Sequence, residues 1–267
     1  MEGRYDFGRN WSTLAEGFED DHVARAGKDL QRLVGDIAGQ TFLDLGCGSG
    51  LHSVAALRLG AGAVYAVDYD PRCVEVARAT LRRFSPHGNW RVERADVLAR
   101  HTLPDQRFDM VYSWGVLHHT GDMWSAIRNS AALVAPRGGL AIAIYVRTPL
   151  CGVWRLEKQV YSRLERLRPA IKLPFIAALL LARAIRHRDA IAYVRNYRRS
   201  RGMEFLVDVD DWLGGFPYES ASPDRLEAFV EGLGFRLKQS FNTGSRLGIL
   251  GSGCGEWRFE RMGGPPA

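Results

Sequence analysis

The stretch Thr41 to Gly50, TFLDLGCGSG, has the residue types and spacing best suited to chemistry. A short apolar run ends in Asp44-Leu45-Gly46-Cys47-Gly48-Ser49-Gly50, and a helical pattern starts directly after it. Glycines at alternate positions let the backbone turn tightly and let a ligand approach where a Cβ would collide, while the helix start offers unpaired N–H groups. This is a nucleotide-binding turn. A dinucleotide loop would carry a third glycine three residues after the second, and position 51 is Leu51. Asp44, two positions before the first glycine, suits a cationic amino-acid ligand better than a pyrophosphate. Asp68 lies 18 residues beyond Gly50 at the end of a second apolar run, where a carboxylate accepts hydrogen bonds from both ribose hydroxyls. Tyr69 is placed to cover the adenine face. Asp96 follows a third run, placed for the adenine amino group, with the apolar Val97 against the ring.

The elements that must position these residues are short. Phe42 to Leu45, Val64 to Val67, Trp90 to Val92, Phe108 to Ser113 and Leu140 to Val146 read as strands. Leu51 to Leu59, Pro71 to Phe84 and Asp122 to Leu133 read as helices from their three- and four-residue apolar spacing. This alternation predicts an α/β fold with a mostly parallel sheet and helices on both faces. After an interruption, Ser222-Pro223 starts a further helix through Val230, and strands Phe235 to Phe241 and Glu256 to Arg261 follow.

Together these segments resemble the class I S-adenosylmethionine-dependent methyltransferases, strongly over residues 40 to 146. FLDLGCGSG, VYAVDYDP, RADV and FDMVYSWGVLHHTGD look like that family's successive motifs, and LVAPRGGLAIAIY like its turn into the fifth strand. The resemblance implies a Rossmann-like sheet of seven strands, the last antiparallel, and S-adenosylmethionine as cofactor. It assigns Asp44, Gly46, Ser49 and Gly50 to the methionine part and the loop, Asp68 to the ribose and Asp96 to the adenine.

Methyl transfer is an in-line displacement at a sulfonium, so positioning and exclusion of water carry much of it. For a hydroxyl acceptor the proton also needs a destination, and histidine is the best general base. His118 and His119 follow the fourth strand. His119 is preferred, because the resembling motif carries a histidine there; the competing reading is that both only pack or touch the cofactor's edge. Trp114 is placed to enclose the donor, an aromatic face favouring its cationic sulfur, whereas Tyr112 reads as core. The N-terminal segment has Tyr5, Phe7, Asn10 and Trp11 ahead of a helix; the resemblance implies that it folds over the cofactor, Trp11 above all, the competing reading being a staple under the first helix.

The formal net charge of +6 is unevenly distributed. Residues 147 to 201 hold fourteen Lys or Arg against Glu157, Glu165 and Asp189, so the rest of the chain is acidic. The predicted division is an N-terminal helical cover over 1–40, a cofactor-binding core over 41–146 and 220–262, and a basic helical insertion over 147–219 that acts as an acceptor lid. The insertion's Arg183, Arg186, Arg188, Arg195, Arg198, Arg199 and Arg201 suit a phosphate, a carboxylate, nucleic acid or an anionic membrane surface. Its apolar run PFIAALLLARAI is too short to span a bilayer and fits a lipid-linked acceptor, a packed helix or a dimer partner equally well. Asp208 to Glu219 reads as a rigid loop in which Asp211, Trp212 and Tyr218 grip a polyhydroxylated ring.

The four cysteines are widely scattered, at no metal-binding spacing, and read as free thiols. No metal is expected, and the absence of a secretory pattern predicts a cytoplasmic protein. The leading expectation is a small-molecule methyltransferase acting on a hydroxyl of a sugar, phenol or natural-product precursor, as monomer or homodimer. Its rivals are N-methylation, methylation of RNA or of a lipid-linked acceptor, a catalytically silent binding protein, and a nicotinamide dehydrogenase.

Overall fold

A computed structural model describes residues 11, 14–15, 17–185, 189–197, 205–241 and 253–263. Seven strands, β1 (Thr41–Leu45), β2 (Ala63–Asp68), β3 (Trp90–Arg94), β4 (Phe108–Trp114), β5 (Val134–Tyr145), β6 (Phe235–Phe241) and β7 (Cys254–Arg261), form one sheet in the order β3-β2-β1-β4-β5-β7-β6. The first five are parallel, and β7 runs antiparallel between β5 and β6. Strand order reverses between β1 and β4, which opens a crevice at their carboxyl ends, the place where open α/β sheets bind ligands.

Period-two alternation sends successive residues of β1 to opposite faces. Phe42 packs with Leu30, Leu33 and Val34 of α1 (Asp20–Val34) and with Ala55 and Ala56 of α2 (Leu51–Arg58). Leu43 and Leu45 pack on the other side with Ala126 and Ile127 of α4 (Met123–Ala132) and Leu226 and Val230 of α9 (Pro223–Glu231). Between α2 and α4 in sequence, α3 (Pro71–Phe84) begins with its Asp70 carboxylate capping the Arg72 N–H and Pro71 in the first turn, where a missing N–H costs nothing. Asp122 caps α4 in the same way, through Ser125 N.

The fifth strand begins earlier than its apolar pattern predicts. Val134 pairs with Phe108 and Gly139 with Met110, so Ala135 to Gly138 are looped out of register, with Arg137 at a φ of 63°. The insertion is helical as expected: α5 (Cys151–Arg163), α6 (Arg168–Ile185), α7 (Ala190–Arg195) and α8 (Phe205–Gly214). Its core joins Tyr161, Tyr197, Phe205, Val209 and Leu213 with the inner side of α6. One expectation needs correction. Asp208 to Gly214 is not a rigid loop but the body of α8, because Phe205, Val209 and Leu213 recur at four-residue spacing and bury one helix face. Only Gly215 to Ser222 forms the turn that the Gly-Gly-Phe-Pro sequence announces. Among the described residues no helix is long and apolar enough to cross a membrane.

Candidate active site

The turn after β1 is built by backbone constraints. Gly46 and Cys47 both donate N–H to the Val67 carbonyl, at 2.8 and 3.0 Å, which ties the loop to the end of β2. Gly46 (φ 78°) and Gly50 (φ 77°) take left-handed conformations that side chains disfavour. They are also points of close approach. A Cβ on Gly46 would lie 2.5 Å from the Val116 methyls, and one on Gly50 2.9 Å from the Ala77 Cα of α3. Trp11 covers the outer side of the loop, its Cε2 being 3.3 Å from where a Gly48 Cβ would stand. Tyr5, Phe7 and Asn10 lie outside the described residues.

Two carboxylates frame this cradle. Asp44 lies beneath it, 2% exposed, and accepts the Ser53 hydroxyl of α2 at 2.6 Å. Burial lifts its carboxyl to about 7, the Ser53 hydrogen bond pulling the other way. Asp68 sits at the rim, with Oδ2 accepting Gly48 N and Oδ1 accepting Asp70 N, both at 2.9 Å. Burial raises its carboxyl as well, and those backbone donors oppose the rise. Ser49 is buried within the loop. Tyr69, beside Asp68, has the Arg94 guanidinium 5.8 Å from its ring centre.

At the end of β3, Asp96 caps the next turn through Leu98 N at 2.9 Å, and Val97 packs on the core while its carbonyl accepts the Asn129 amide. Trp114 ends β4 half-exposed, its indole N–H on Glu256 of β7 at 2.8 Å. The predicted cofactor residues thus line the carboxyl ends of β1 to β4. A cavity of about 570 Å³ among Thr41, Tyr65, Trp90, Leu103 and Phe108 opens instead near the strands' starts and is remote from this chemistry.

Next to β4 the two histidines separate. His118 is fully buried, 4.0 Å between ring centres from Tyr145, and neither ring nitrogen has a hydrogen-bond partner of good geometry among the described residues. Burial, and then the charges of His119 and Lys158, hold it well below the ordinary histidine range, so it packs as a neutral ring. His119 Nδ1 is 2.7 Å from the Pro217 carbonyl oxygen. A carbonyl only accepts, so in the neutral ring Nδ1 holds the proton and Nε2 the lone pair, the tautomer a general base requires.

The strap that supplies Pro217 is fixed at both ends. Glu219 N donates to His118 O and Ala221 N to Tyr145 O, while the Glu219 carboxylate caps Met123 N at 2.9 Å. Tyr218 is buried against Tyr145, 5.2 Å between ring centres, with its hydroxyl 3.3 Å from Cys151 Sγ. All four cysteines are free thiols.

Trp212 does not present an open stacking face. Its ring stacks on Phe175 at 4.9 Å, meets Trp154 edge-on at 4.8 Å and carries the Lys158 ammonium 3.9 Å from its centre. Asp211 precedes it on α8, away from the predicted loop.

Sequence reasoning missed Lys158 and Tyr145. Lys158 is completely buried on α5 and donates to the Trp212 carbonyl. Burial pulls its ammonium down and pushes the neighbouring Glu157 carboxyl up. Tyr145 had a usable signal, its position at the carboxyl end of a central strand; Lys158, one cation in a basic run, had none.

Residues 42–138 match the family described as the methyltransferase domain. Over 114 residues the chain is 39% identical to the ubiquinone biosynthesis O-methyltransferase of Xanthomonas oryzae pv. oryzae (strain PXO99A), an alignment spanning 43% of this chain and 46% of that protein. The chain therefore spans about half the length of the curated relatives it matches. The fold resembles magnesium protoporphyrin IX methyltransferase (ChlM) from Synechocystis PCC 6803 with bound SAH, at a TM-score of 0.54 and 17% identity, over 90% of this chain and 83% of that one. It also resembles the [4+2]-cyclase SpnF, at a TM-score of 0.59 and 13% identity, over 90% and 82% of the two chains. The strand order and the antiparallel seventh strand agree with these matches: the chain has the class I methyltransferase fold, and its residues 42–138 match a methyltransferase domain.

Proposed function

We propose that the protein transfers the methyl group of S-adenosylmethionine to a hydroxyl oxygen of a small-molecule acceptor, with His119 as general base. The observation that carries the reading is the His119–Pro217 contact, which assigns the proton of the neutral ring to Nδ1 and makes Nε2 its basic nitrogen, on the segment that follows β4. The residues present fit the cofactor. The loop at Gly46 to Gly50 is held so tightly that Cβ atoms at 46 and 50 would strike Val116 and Ala77, Asp44 and Asp68 suit a cationic amino acid and a ribose, and Asp96 with Val97 suits adenine. When bound, the cofactor supplies an electrophilic methyl on a positively charged sulfur.

The acceptor oxygen forms the new O–C bond as the C–S bond breaks, and its proton passes to His119 Nε2. Trp11 shields the cradle, while Tyr145, Tyr218 and the strap wall off the acceptor side. The buried Lys158 favours negative charge developing on the oxygen. Oxygen as the acceptor atom is supported by relatives named as O-methyltransferases and by the need for a base, since a neutral amine would attack without one.

Likeness to a cyclase keeps a second reading open, a methyltransferase fold used for other chemistry. Isotope-labelled S-adenosylmethionine and a panel of phenolic and sugar hydroxyls decide between them. Label should reach an acceptor oxygen, and His119→Ala should lower turnover by roughly 10²–10⁴-fold with S-adenosylhomocysteine affinity intact. Wild-type turnover in that variant removes His119 as base; cofactor binding without label transfer to any acceptor favours the second reading.

A further inference from the structure

Helix α6 is apolar on two opposite sides. Ile171, Phe175, Ile176, Leu179 and Leu180 face inward and pack on the core of the insertion. The other side, Ala170, Leu173, Pro174, Ala177, Ala178 and Leu181, is exposed and continues through Ala184 and Ile185 at the same three- and four-residue spacing. No charged side chain interrupts this stripe over the helix's 18 residues, about 27 Å of axis. Leu173 is 66% exposed, Leu181 61% and Ile185 68%, and Ile191 of α7 extends the surface at 82%. A surface helix whose only partner is the core behind it should be polar outside; one that is hydrophobic all round lacks a partner.

The surrounding charge indicates which partner. Residues 147 to 201 of the insertion carry fourteen basic residues against three acidic ones. Lys172 is neutralised by Asp210 at 2.6 Å and Arg168 by Glu165 at 3.2 Å, whereas Arg155, Arg163, Arg166 and Arg195 are exposed. A second copy pairing through the same face would set one basic module against another, because a two-fold interface is self-complementary. A nucleic acid would answer the arginines and leave the leucines in water. An anionic lipid surface answers both, taking apolar side chains below the headgroups and arginines among them. Among the described residues no helix is long and apolar enough to cross such a surface, so α6 suits lying on it.

We infer that the outer face of α6, with Ile191 and the exposed arginines of the insertion, docks the protein on an anionic lipid interface. This docking stands independently of methyl transfer. Its consequence for the site runs through packing: Phe175 on the inner side of α6 stacks on Trp212, whose carbonyl holds Lys158. A docked α6 is thus one helix layer from the acceptor side, where an amphiphilic acceptor would arrive from the lipid.

The test is co-sedimentation of the full chain with two kinds of vesicle, phosphatidylcholine alone and equal parts phosphatidylcholine and phosphatidylglycerol. The protein should pellet with the mixed vesicles and not with the neutral ones, and salt should weaken the binding. The double variant Leu173→Glu/Leu181→Glu and the separate variant Arg163→Glu/Arg166→Glu should each lose at least tenfold in partition, while circular dichroism and S-adenosylhomocysteine affinity stay those of the wild type. Failure of the wild type to bind mixed vesicles overturns the inference, as does equal binding to neutral ones. A wild-type dimer that Leu173→Glu/Leu181→Glu dissociates, with no vesicle binding, assigns the face to a second copy instead. Cofactor affinity measured on the same samples separates either failure from a failure of the methyl-transfer reading.

Discussion

His119 and Gly215 stand so close that no side chain at 215 would leave the imidazole in place: a Cβ there would lie 2.8 Å from Cε1, while Nδ1 of the same ring is 2.7 Å from the Pro217 carbonyl. The ring is gripped on one edge and packed on the other. Gly215→Ala must shift it, and a displacement of about 1 Å can cost around 100-fold in rate where a base must meet its proton in line. Turnover should fall by about that factor with S-adenosylhomocysteine affinity unchanged. A variant with wild-type turnover would show that the position of His119 is immaterial.

Trp11 lies over the loop at Gly48 from a segment that precedes the first long helix. As a cover over a cationic cofactor, an indole there would shield the cradle from water. Trp11→Ala should weaken S-adenosylmethionine binding by on the order of 1 kcal/mol, several-fold in Kd, and weaken the uncharged-sulfur product less. Calorimetry with both ligands checks this; equal losses would reduce Trp11 to a hydrophobic cover, and no loss would remove it from the site.

The cradle's local geometry was legible because its determinants are local. Left-handed glycines, a strand-ending aspartate and a helix starting at the next residue all leave marks within ten positions of sequence, and Asp68 and Asp96 recur at the corresponding strand ends. The acceptor side depends on residues brought together from far apart. Lys158 meets Trp212, and Pro217 reaches back to His119, through packing that no spacing rule encodes. The misread stretch lies between these cases. Asp208 to Gly214 carries a helical signal in Phe205, Val209 and Leu213, but the turn residues after it dominated the reading. The missed start of β5 has a different cause, a loop out of register within the strand that hides its pairing with Phe108.

Asp44 makes stability depend on pH with a sign opposite to that of a paired surface carboxylate. Burial lifts its folded-state carboxyl from 3.8 to about 7. Below about pH 4 the group is protonated in both folded and unfolded chains and favours neither. Between about 4 and 7 the unfolded chain has released the proton and the folded one has not, so stability falls as pH rises and levels off above about 7. Asn at 44 can still accept the Ser53 hydroxyl without titrating. The unfolding free energy of Asp44→Asn relative to wild type should therefore grow by on the order of a few kcal/mol over that window. Bound cofactor should reverse the trend, since an ammonium group favours the ionised carboxylate: affinity should tighten as pH rises through about 7 in the wild type and stay flat in the variant. Denaturant titrations and calorimetry across pH measure both, and parallel curves for the two proteins would show that Asp44 does not titrate in this range.

Lys158 tests whether the acceptor side is electrostatic or merely packed. Its ammonium is fully buried, donates to the Trp212 carbonyl and lies over the Trp212 ring, and its charge is felt at His118. A buried cation costs solvation, so a scaffold that needed only bulk here would do as well with an apolar chain of the same length. Near the site, the same charge stabilises an oxygen that is losing its proton, where excluded water makes it count for more than in solution. Lys158→Met keeps the length and removes the charge. Its turnover should fall by roughly 100-fold with S-adenosylhomocysteine affinity retained. The discriminating measurement is a series of acceptors graded in hydroxyl acidity. Loss of the cation should penalise weakly acidic hydroxyls more than acidic ones and steepen the dependence of rate on acceptor pKa. A purely structural lysine would lower every rate by the same factor and leave that slope unchanged.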